Sequence, residues 1–396
     1  MILPNSEIVD IGATADVRRL FSYPPNCQEI CFLPQSLEDT VRLYLTSSLQ
    51  RDMFSNSTIS VRTQDDRVLV QITGDAASKY GAPLKAFLGI GQNAFAASVK
   101  INTDKKWHYN WRFFLPLGLA MTQHKTVQLL HFPPDYVLER DQDYLSAHTT
   151  KRWAELLQEN GVAAADTPRY QTIVDIAPIA APSNDGKNLE GVYSYYDGYI
   201  SGLLQLWLPL DGHTARPMVA FGGPVRDWIK RRFGVDLKVL SLTNLQLESG
   251  IRVATLATNH PSFIYNAVDR LQSGNTPTNE QMAMLMRIMQ QDLIASNWQA
   301  MMGANPKADP KATLDACTQT WSNSTKQARI CQLTYIQVFN KSPEEAAKSC
   351  AQLPKPVNAL LEGLKPIDAQ AFNERLEALQ AEIGALDSRE PQDIKH

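Results

Sequence analysis

The sequence predicts an α/β fold in which a mostly parallel sheet is covered by helices, followed by an added α-helical region at the carboxyl end. Between about residues 80 and 270, short apolar runs alternate with polar loops and helical patterns, which is typical of such a sheet. Beyond residue 273 the composition changes to residues that favour helices. We therefore predict an amino-terminal α/β extension over residues 1–78, a core over 79–272 and a helical region over 273–396.

The amino-terminal extension contains one predicted helix, over residues 37–49, and one predicted strand, over residues 58–62. The strands predicted for the core share an apolar run that ends in a polar loop. They cover residues 87–90, 172–176, 218–221 and 253–257.

The strand over residues 218–221 leads into a glycine turn and a predicted helix. Gly222 and Gly223 form the turn, Pro224 suits the first helical position, and Gly234 is a stop signal. The helical region begins with Thr278 as a predicted cap before a methionine-rich run. It continues with a linker or turn at residues 304–313, helices over 317–339 and 343–350, and a narrow apolar stripe from Phe372 to Leu386 that we expect to pack against the domain.

Composition and charge limit the class of protein. A chain of 396 residues with 44% hydrophobic residues can bury a large core. No apolar run approaches the roughly 20 residues that cross a bilayer, so we expect a cytoplasmic protein without a membrane partner. The net charge of −3 argues against a surface that binds nucleic acid everywhere, but it permits a local basic groove, for which Arg226 and the neighbouring basic residues 230–232 are candidates. The structural alternative is a solvated charged face.

The five cysteines are odd in number and widely spread along the chain. This pattern favours reduced, structural thiols over a disulfide framework, a zinc site or an iron–sulfur cluster. We therefore expect neither a metal nor another cofactor.

Two short motifs far apart in the chain carry the functional hypothesis. The run Gly91-Gln92-Asn93-Ala94-Phe95 follows an apolar segment, and His260-Pro261-Ser262 follows another. Each is interpreted as a strand that ends in a polar loop, and loops at the carboxyl ends of parallel strands are where open α/β sheets bind ligands. Together the motifs resemble those of the uracil-DNA glycosylase superfamily, which removes bases from DNA. That resemblance implies a uracil-DNA glycosylase-like core.

The first motif corresponds to the family's water-activating loop. The resemblance implies that Asn93 orients the attacking water, that Gln92 contributes backbone N–H groups, and that Phe95 forms the wall near C5 of the flipped base. Ala94 departs from the family's proline, which leaves room for a substituent on the base. The structural alternative is a simple strand-to-helix turn.

A second set of residues corresponds to the family's base reader. Asp175 stands where the family has an asparagine, and Ser183 and Asn184 are further pocket candidates. An ionised carboxylate only accepts hydrogen bonds, which suits the N4 amino group of cytosine and opposes O4 of uracil. The alternative is that Asp175 caps a turn.

The remaining parts contact the leaving base and the DNA backbone. By resemblance, His260 donates to O2 of the pyrimidine and Ser262 contacts a phosphate, while Phe263 and Ile264 fall where the family inserts an apolar wedge. Gly222 and Gly223 begin a helix whose amino terminus could hold a phosphate.

These parts predict a monofunctional DNA glycosylase that flips a modified cytosine and leaves an abasic site, similar to antiviral enzymes that act on phage DNA. Its side chains Asn93 and His260 should approach one pocket. One alternative is a nucleic-acid-binding protein that keeps the fold without turnover. Another is a doubly wound nucleotide-processing enzyme, for which the chain lacks a phosphate-loop or metal-ligand motif.

Overall fold

A computed structural model describes the chain in nine segments. They are residues 6–21, 36–45, 58–105, 112–113, 124–132, 148–180, 185–211, 214–265 and 279–353. The chain divides into two compact units. Unit 1 comprises Met1–Ala147, Pro168–Arg216 and Gln246–Val253, and unit 2 comprises His148–Thr167, Pro217–Leu245 and Ala254–His396. In the described part of the chain, no helix has both the length and the apolar character needed to span a membrane.

The larger sheet has five strands, in the order β6-β5-β8-β10-β9. These strands are β5 (Val127–Leu130), β6 (Thr172–Asp175), β8 (Met218–Phe221), β9 (Leu242–Gln246) and β10 (Arg252–Thr258). β5 pairs with β6 in parallel, and β8 pairs with β10 in parallel. β9 and β10 form a hairpin, because Leu247 donates to Ile251 and Ala257 donates to Ser241 in antiparallel register. The prediction of a mostly parallel sheet is confirmed, as are three of its four predicted strands.

The strands of this sheet are apolar runs because both of their faces are covered. Every residue of β5, β6 and β8 is buried. Parallel sheets covered on both faces show such runs in place of an alternating pattern. A further pair of short strands, β4 (Arg112–Phe113) and β7 (Ile179–Ala180), is antiparallel.

Unit 1 contains a separate antiparallel sheet with the order β1-β3-β2. Its strands are β1 (Ser6–Ala13), β2 (Ile59–Gln64) and β3 (Arg67–Thr73), accompanied by helices α1 (Thr14–Phe21) and α2 (Leu37–Leu45). Asp65 and Asp66, with φ of 50° and 59°, make the tight turn between β2 and β3. The predicted strand at 58–62 is confirmed, and the predicted helix at 37–49 is confirmed to residue 45, beyond which it lies outside the described residues.

The predicted strand at residues 87–90 is wrong. These residues lie inside helix α3 (Asp75–Lys105), which includes Pro83. The buried positions described in α3 recur every three or four residues up to Ala94, with one more seven residues later, as one face of a helix requires: Ala77, Gly81, Leu84, Phe87, Gly91, Ala94 and Ile101. Phe87 stacks on Trp207 of helix α5 (Asp197–Trp207), with ring centroids 5.8 Å apart. Burial of this stripe against α5 and β1 outweighs the local signals that interrupt the helix.

Unit 2 contains the remaining helices. They are α4 (His148–Glu159), α6 (Gly222–Phe233), α7 (Asn279–Ala304), α8 (Pro310–Ser322), α9 (Ser324–Phe339) and α10 (Pro343–Ala351). The long α7 packs against α4, α8 and α9. Asn160, just after α4, joins these helices, because its amide donates to Ser296 Oγ at 2.9 Å and accepts from Trp321 Nε1 at 3.0 Å.

The predicted carboxyl-terminal helices are largely confirmed. Asn323 divides the segment 317–339 between α8 and α9, and the predicted turn after residue 304 is limited to residues 305–309. Thr278 and the stripe from Phe372 to Leu386 lie outside the described residues.

The thiol prediction is wrong for two cysteines. Cys331 of α9 and Cys350 of α10 form a disulfide, because the two helices pack side by side and bring the thiols together. Cys317 is free and buried, and burial raises the pKa of its thiol to about 12. Cys27 and Cys31 lie outside the described residues.

Candidate functional site

The Gly222 turn and the His260 loop leave two neighbouring strands at the same edge. β8 ends at Phe221 and β10 ends at Thr258, and these two residues are partners in the parallel register. Gly222 has φ of +81°, and a Cβ atom at this position would lie 3.2 Å from the Cβ atom of His260. The two sequence-predicted elements are therefore in contact, and glycine at position 222 permits their close approach.

The hydrogen bonds of His260 determine where its proton lies. The backbone N–H of Ser262 donates to His260 Nδ1 at 3.3 Å, and Ser262 Oγ lies 2.7 Å from the same nitrogen. Because a backbone N–H only donates, Nδ1 is the acceptor and the neutral ring carries its proton on Nε2. Among the residues that the structure describes, none hydrogen-bonds to Nε2. The ring therefore offers a donor to a ligand.

The surroundings of His260 favour its neutral form. Burial lowers the pKa of His260 to about 4, and the positive charge of Arg152 acts in the same direction. At neutral pH the ring is an uncharged donor, suited to stabilising negative charge that develops on a bound group.

Helix α6 begins beside His260. Within the described structure, its first turn has no side-chain cap and no acidic residue, so backbone N–H groups at Gly222 and Gly223 form a positive helix terminus. Gly234, with φ of 71°, ends the helix as predicted. Arg226 is buried and donates to the Gly222 carbonyl at 3.3 Å, which places it beneath the turn rather than on a basic surface. Both interpretations of Arg226, the basic groove and the solvated face, require an exposed side chain and are therefore wrong for this residue.

The residues after His260 fold back under the loop. Phe263 and Ile264 are both buried, and the Phe263 N–H donates to the His260 carbonyl at 2.8 Å. In this arrangement their side chains face the interior, whereas a wedge that enters a base stack must be exposed. Ser262 is partly exposed.

Unit 1 has its own group of polar residues at the ends of β5 and β6. Asp175, the last residue of β6, is 3% exposed and pairs in register with Leu130. The next residue after Leu130 is His131, whose Nε2 hydrogen-bonds to the hydroxyl of Tyr193. Sequence reasoning missed His131, because the strand before it, Val127-Gln128-Leu129-Leu130, is short and is interrupted by a glutamine.

The first motif lies elsewhere than predicted. Gln92, Asn93 and Phe95 are all within helix α3, and Asn93 is exposed. The interpretation of this motif as a loop at a strand end is wrong, for the reason given for α3. Ser183 and Asn184 lie outside the described residues. The expected approach of Asn93 to His260 stays a prediction.

Comparison with known proteins adds no relative. No protein family, curated protein or solved structure matches this chain.

Proposed function

We propose that this protein is a monofunctional DNA glycosylase that flips a cytosine-type base and hydrolyses its N-glycosidic bond. The observation that carries the proposal is the state of His260. This histidine is a neutral Nε2–H donor beside an uncapped helix terminus, at the carboxyl ends of two parallel strands. Sites of this kind in α/β sheets bind phosphate-bearing ligands.

The chemistry needs a donor to the leaving group more than it needs a strong base. When the bond between C1′ and the base breaks, its electron pair leaves with the base and the sugar becomes oxocarbenium-like. The Nε2–H of His260 donates to O2 of the pyrimidine and stabilises the anion. Water then adds to C1′ and loses a proton, the departed base anion takes up a proton, and the products are the free base and an abasic site.

The protein offers two kinds of hydrogen-bond donor to the DNA backbone near this ring. The N–H groups at the start of α6, from Gly222 and Gly223, suit a phosphate. Ser262 adds a hydroxyl when its O–H turns from His260 Nδ1 to the phosphate, since the backbone N–H of Ser262 still donates to Nδ1. In unit 1, the buried carboxyl of Asp175 supports a cytosine-type base, since a carboxylate accepts from N4. Asn93 is proposed to orient the water. The resemblance to antiviral glycosylases makes modified phage DNA the proposed substrate.

A non-catalytic DNA-binding protein is the second candidate. It is favoured by one observation: Asn93 lies on the exposed face of a helix, whereas the family's water-activating residue belongs to a loop at a strand end. This candidate keeps the phosphate contacts of Gly222 and Ser262 but performs no excision.

One experiment separates the two functions. The protein is incubated with single- and double-stranded DNAs that carry cytosine, hydroxymethylcytosine, glucosylated hydroxymethylcytosine or uracil, and alkali-labile sites are counted while binding is followed by fluorescence anisotropy. A glycosylase produces alkali-labile sites at a cytosine-type base. Binding without such sites shows the non-catalytic function, and the absence of both binding and cleavage contradicts both candidates.

A further inference from the structure

A buried arginine connects the His260 loop to two helices. Arg152 of α4 is 1% exposed, and its Nη2 lies 2.9 Å from Oδ2 of Asp292 in α7, which is 0% exposed. Its other arm, Nη1, donates to the carbonyl of Pro261 at 2.8 Å. One guanidinium group thus holds α4, α7 and the loop together.

Stability alone is a poor explanation for this pair. The desolvation penalty of burying two charges offsets much of their mutual attraction. Apolar residues of similar volume often stabilise a protein as much as a buried ion pair does. A buried pair in a loop-bearing region therefore suggests that the fold needs a fixed geometry there. The geometry concerned is that of the peptide between Pro261 and Ser262.

This peptide bond presents its two polar groups to different partners. Its carbonyl oxygen, on Pro261, accepts from Arg152, and its N–H, on Ser262, donates to His260 Nδ1. Because a trans peptide is planar and its C=O and N–H point in opposite directions, orienting the carbonyl also orients the N–H.

We propose that Arg152 is a positioning residue for His260, acting through the Pro261–Ser262 peptide so that the ring keeps its proton on Nε2. Arg152 sets the direction of the Ser262 N–H, this N–H occupies Nδ1, and Nε2–H is left to face a ligand. The significance for excision rests on the proposed function, whereas the tautomer of His260 does not.

The charges around the ring support the same arrangement. Arg152 faces His260 from α4 and contributes to the lowered pKa of the ring, after burial. Asp292 faces the guanidinium from α7; burial raises its pKa to about 6, and Arg152 opposes the rise. The Tyr265 ring centroid lies 5.8 Å from Arg152 Cζ, and Glu155 acts on Tyr265. From α6, the neighbour of His260 is the uncharged Gly222.

The test reads the histidine directly by nitrogen NMR of protein labelled with ¹⁵N-histidine, without DNA. In the wild type, His260 should show the Nε2–H tautomer at pH 7 and should not titrate above about pH 5. In the charge-free double variant Arg152→Met/Asp292→Asn, we expect a mixture of tautomers, because the hold on the peptide is lost. The pKa of His260 should rise above its wild-type value, because the guanidinium charge is lost, and stay below 6.5, because burial, the larger cause of the lowered pKa, remains.

Two matched variants distinguish positioning from general loosening. Asp292→Asn keeps Arg152 and its bond to Pro261, so the Nε2–H tautomer and the low pKa of His260 should remain. If general loosening of the structure were the cause, Asp292→Asn and the double variant would change the tautomer alike. Arg152→Lys keeps the charge but has one arm, so the pKa should stay low while the tautomers mix, and this variant serves if the double variant does not fold. An unchanged tautomer in the folded Arg152 variants overturns the proposal. If the wild type and the variants show the expected tautomers and pKa values but the protein excises no base, the glycosylase function is rejected and the positioning role of Arg152 stands.

Discussion

Gly222 and His260 meet so closely that a Cβ atom added to Gly222 would lie 3.2 Å from the Cβ atom of His260. This contact joins the start of α6 to the loop after β10, and both belong to unit 2. The position of the imidazole therefore depends on a residue with no side chain, in a backbone conformation with φ of +81° that other residues rarely adopt.

The first prediction compares two adjacent glycines. Gly222→Ala should lower the free energy of unfolding by about 1–3 kcal/mol, because alanine is strained at positive φ and its methyl group would press on His260. Gly223→Ala is the control, since nothing lies within 4 Å of its added Cβ and its φ is outside the strained range. Urea unfolding measures both variants. Equal stability of the two would show that the close approach places no constraint on residue 222.

The turn and the loop were predictable because their signals are local. Gly222, Pro224 and Gly234 have conformational roles at helix ends that do not depend on distant residues, and the apolar run before His260 has the length of a buried strand. The strand at residues 87–90 failed for the opposite reason. A short apolar run fits a strand and a buried helix equally well, and its helical periodicity shows only over the whole stripe from Ala77 to Ile101.

The supporting residues of the site were not predictable from pattern. Arg152 and Asp292 are 140 residues apart, and an isolated charged residue on a helix is normally exposed. Cys331 and Cys350 are another example, since only the packing of α9 against α10 brings their sulfur atoms together. Such pairs are created by tertiary contacts, which leave no spacing signal in one sequence.

The second prediction concerns acid stability through His124. Burial lowers the pKa of His124 to about 3, and the charges of Arg216 and Arg169 add to this effect. The unfolded state, with a histidine pKa near 6.5, then binds more protons, so stability present above pH 6.5 is lost as the pH falls towards 3. For one such histidine the loss reaches about 2 kcal/mol by pH 5.

His260 also lowers the free energy of unfolding as the pH falls, between pH 6.5 and about 4. Asp292 has the opposite effect, because its pKa is raised to about 6 in the folded state. Its contribution to stability is present below pH 3.8 and is lost as the pH rises towards 6. Urea unfolding of His124→Gln between pH 7.5 and 5 should show a smaller loss than the wild type. Parallel curves for the two proteins would mean that His124 has the same pKa in the folded and unfolded states.

The third prediction concerns base preference. Asp175→Asn should weaken the excision of cytosine-type bases and improve that of uracil, since an amide can donate to O4. A change of one good base-edge contact corresponds to roughly 5- to 150-fold in preference. Competition between the two substrates in one reaction measures the ratio directly, and an unaltered ratio in a folded variant would limit Asp175 to a structural role.

The fourth prediction concerns the proposed water-orienting residue. Asn93 is exposed on α3, so Asn93→Ala should leave the unfolding transition within about 0.5 kcal/mol of the wild type. A change in the excision rate then reflects the chemical step and not the stability of the fold, and we expect the rate to fall by about 100-fold. The exposed Lys85, on the same helix, supplies the control substitution Lys85→Ala, which should leave excision unchanged. A full rate in Asn93→Ala would assign the water to another residue.

The most direct test of the account is the single-turnover rate of base excision by His260 variants at pH 7.5, under conditions that saturate the enzyme with DNA. His260→Ala removes the Nε2–H donor and should slow excision by about 100- to 1000-fold, the effect of losing one donor to a developing anion. His260→Gln, whose amide can donate from a similar position, should retain part of the rate. Lys311→Ala, at an exposed position in α8 to which no role is assigned, should retain all of it. Excision by His260→Ala at the wild-type rate would contradict the account.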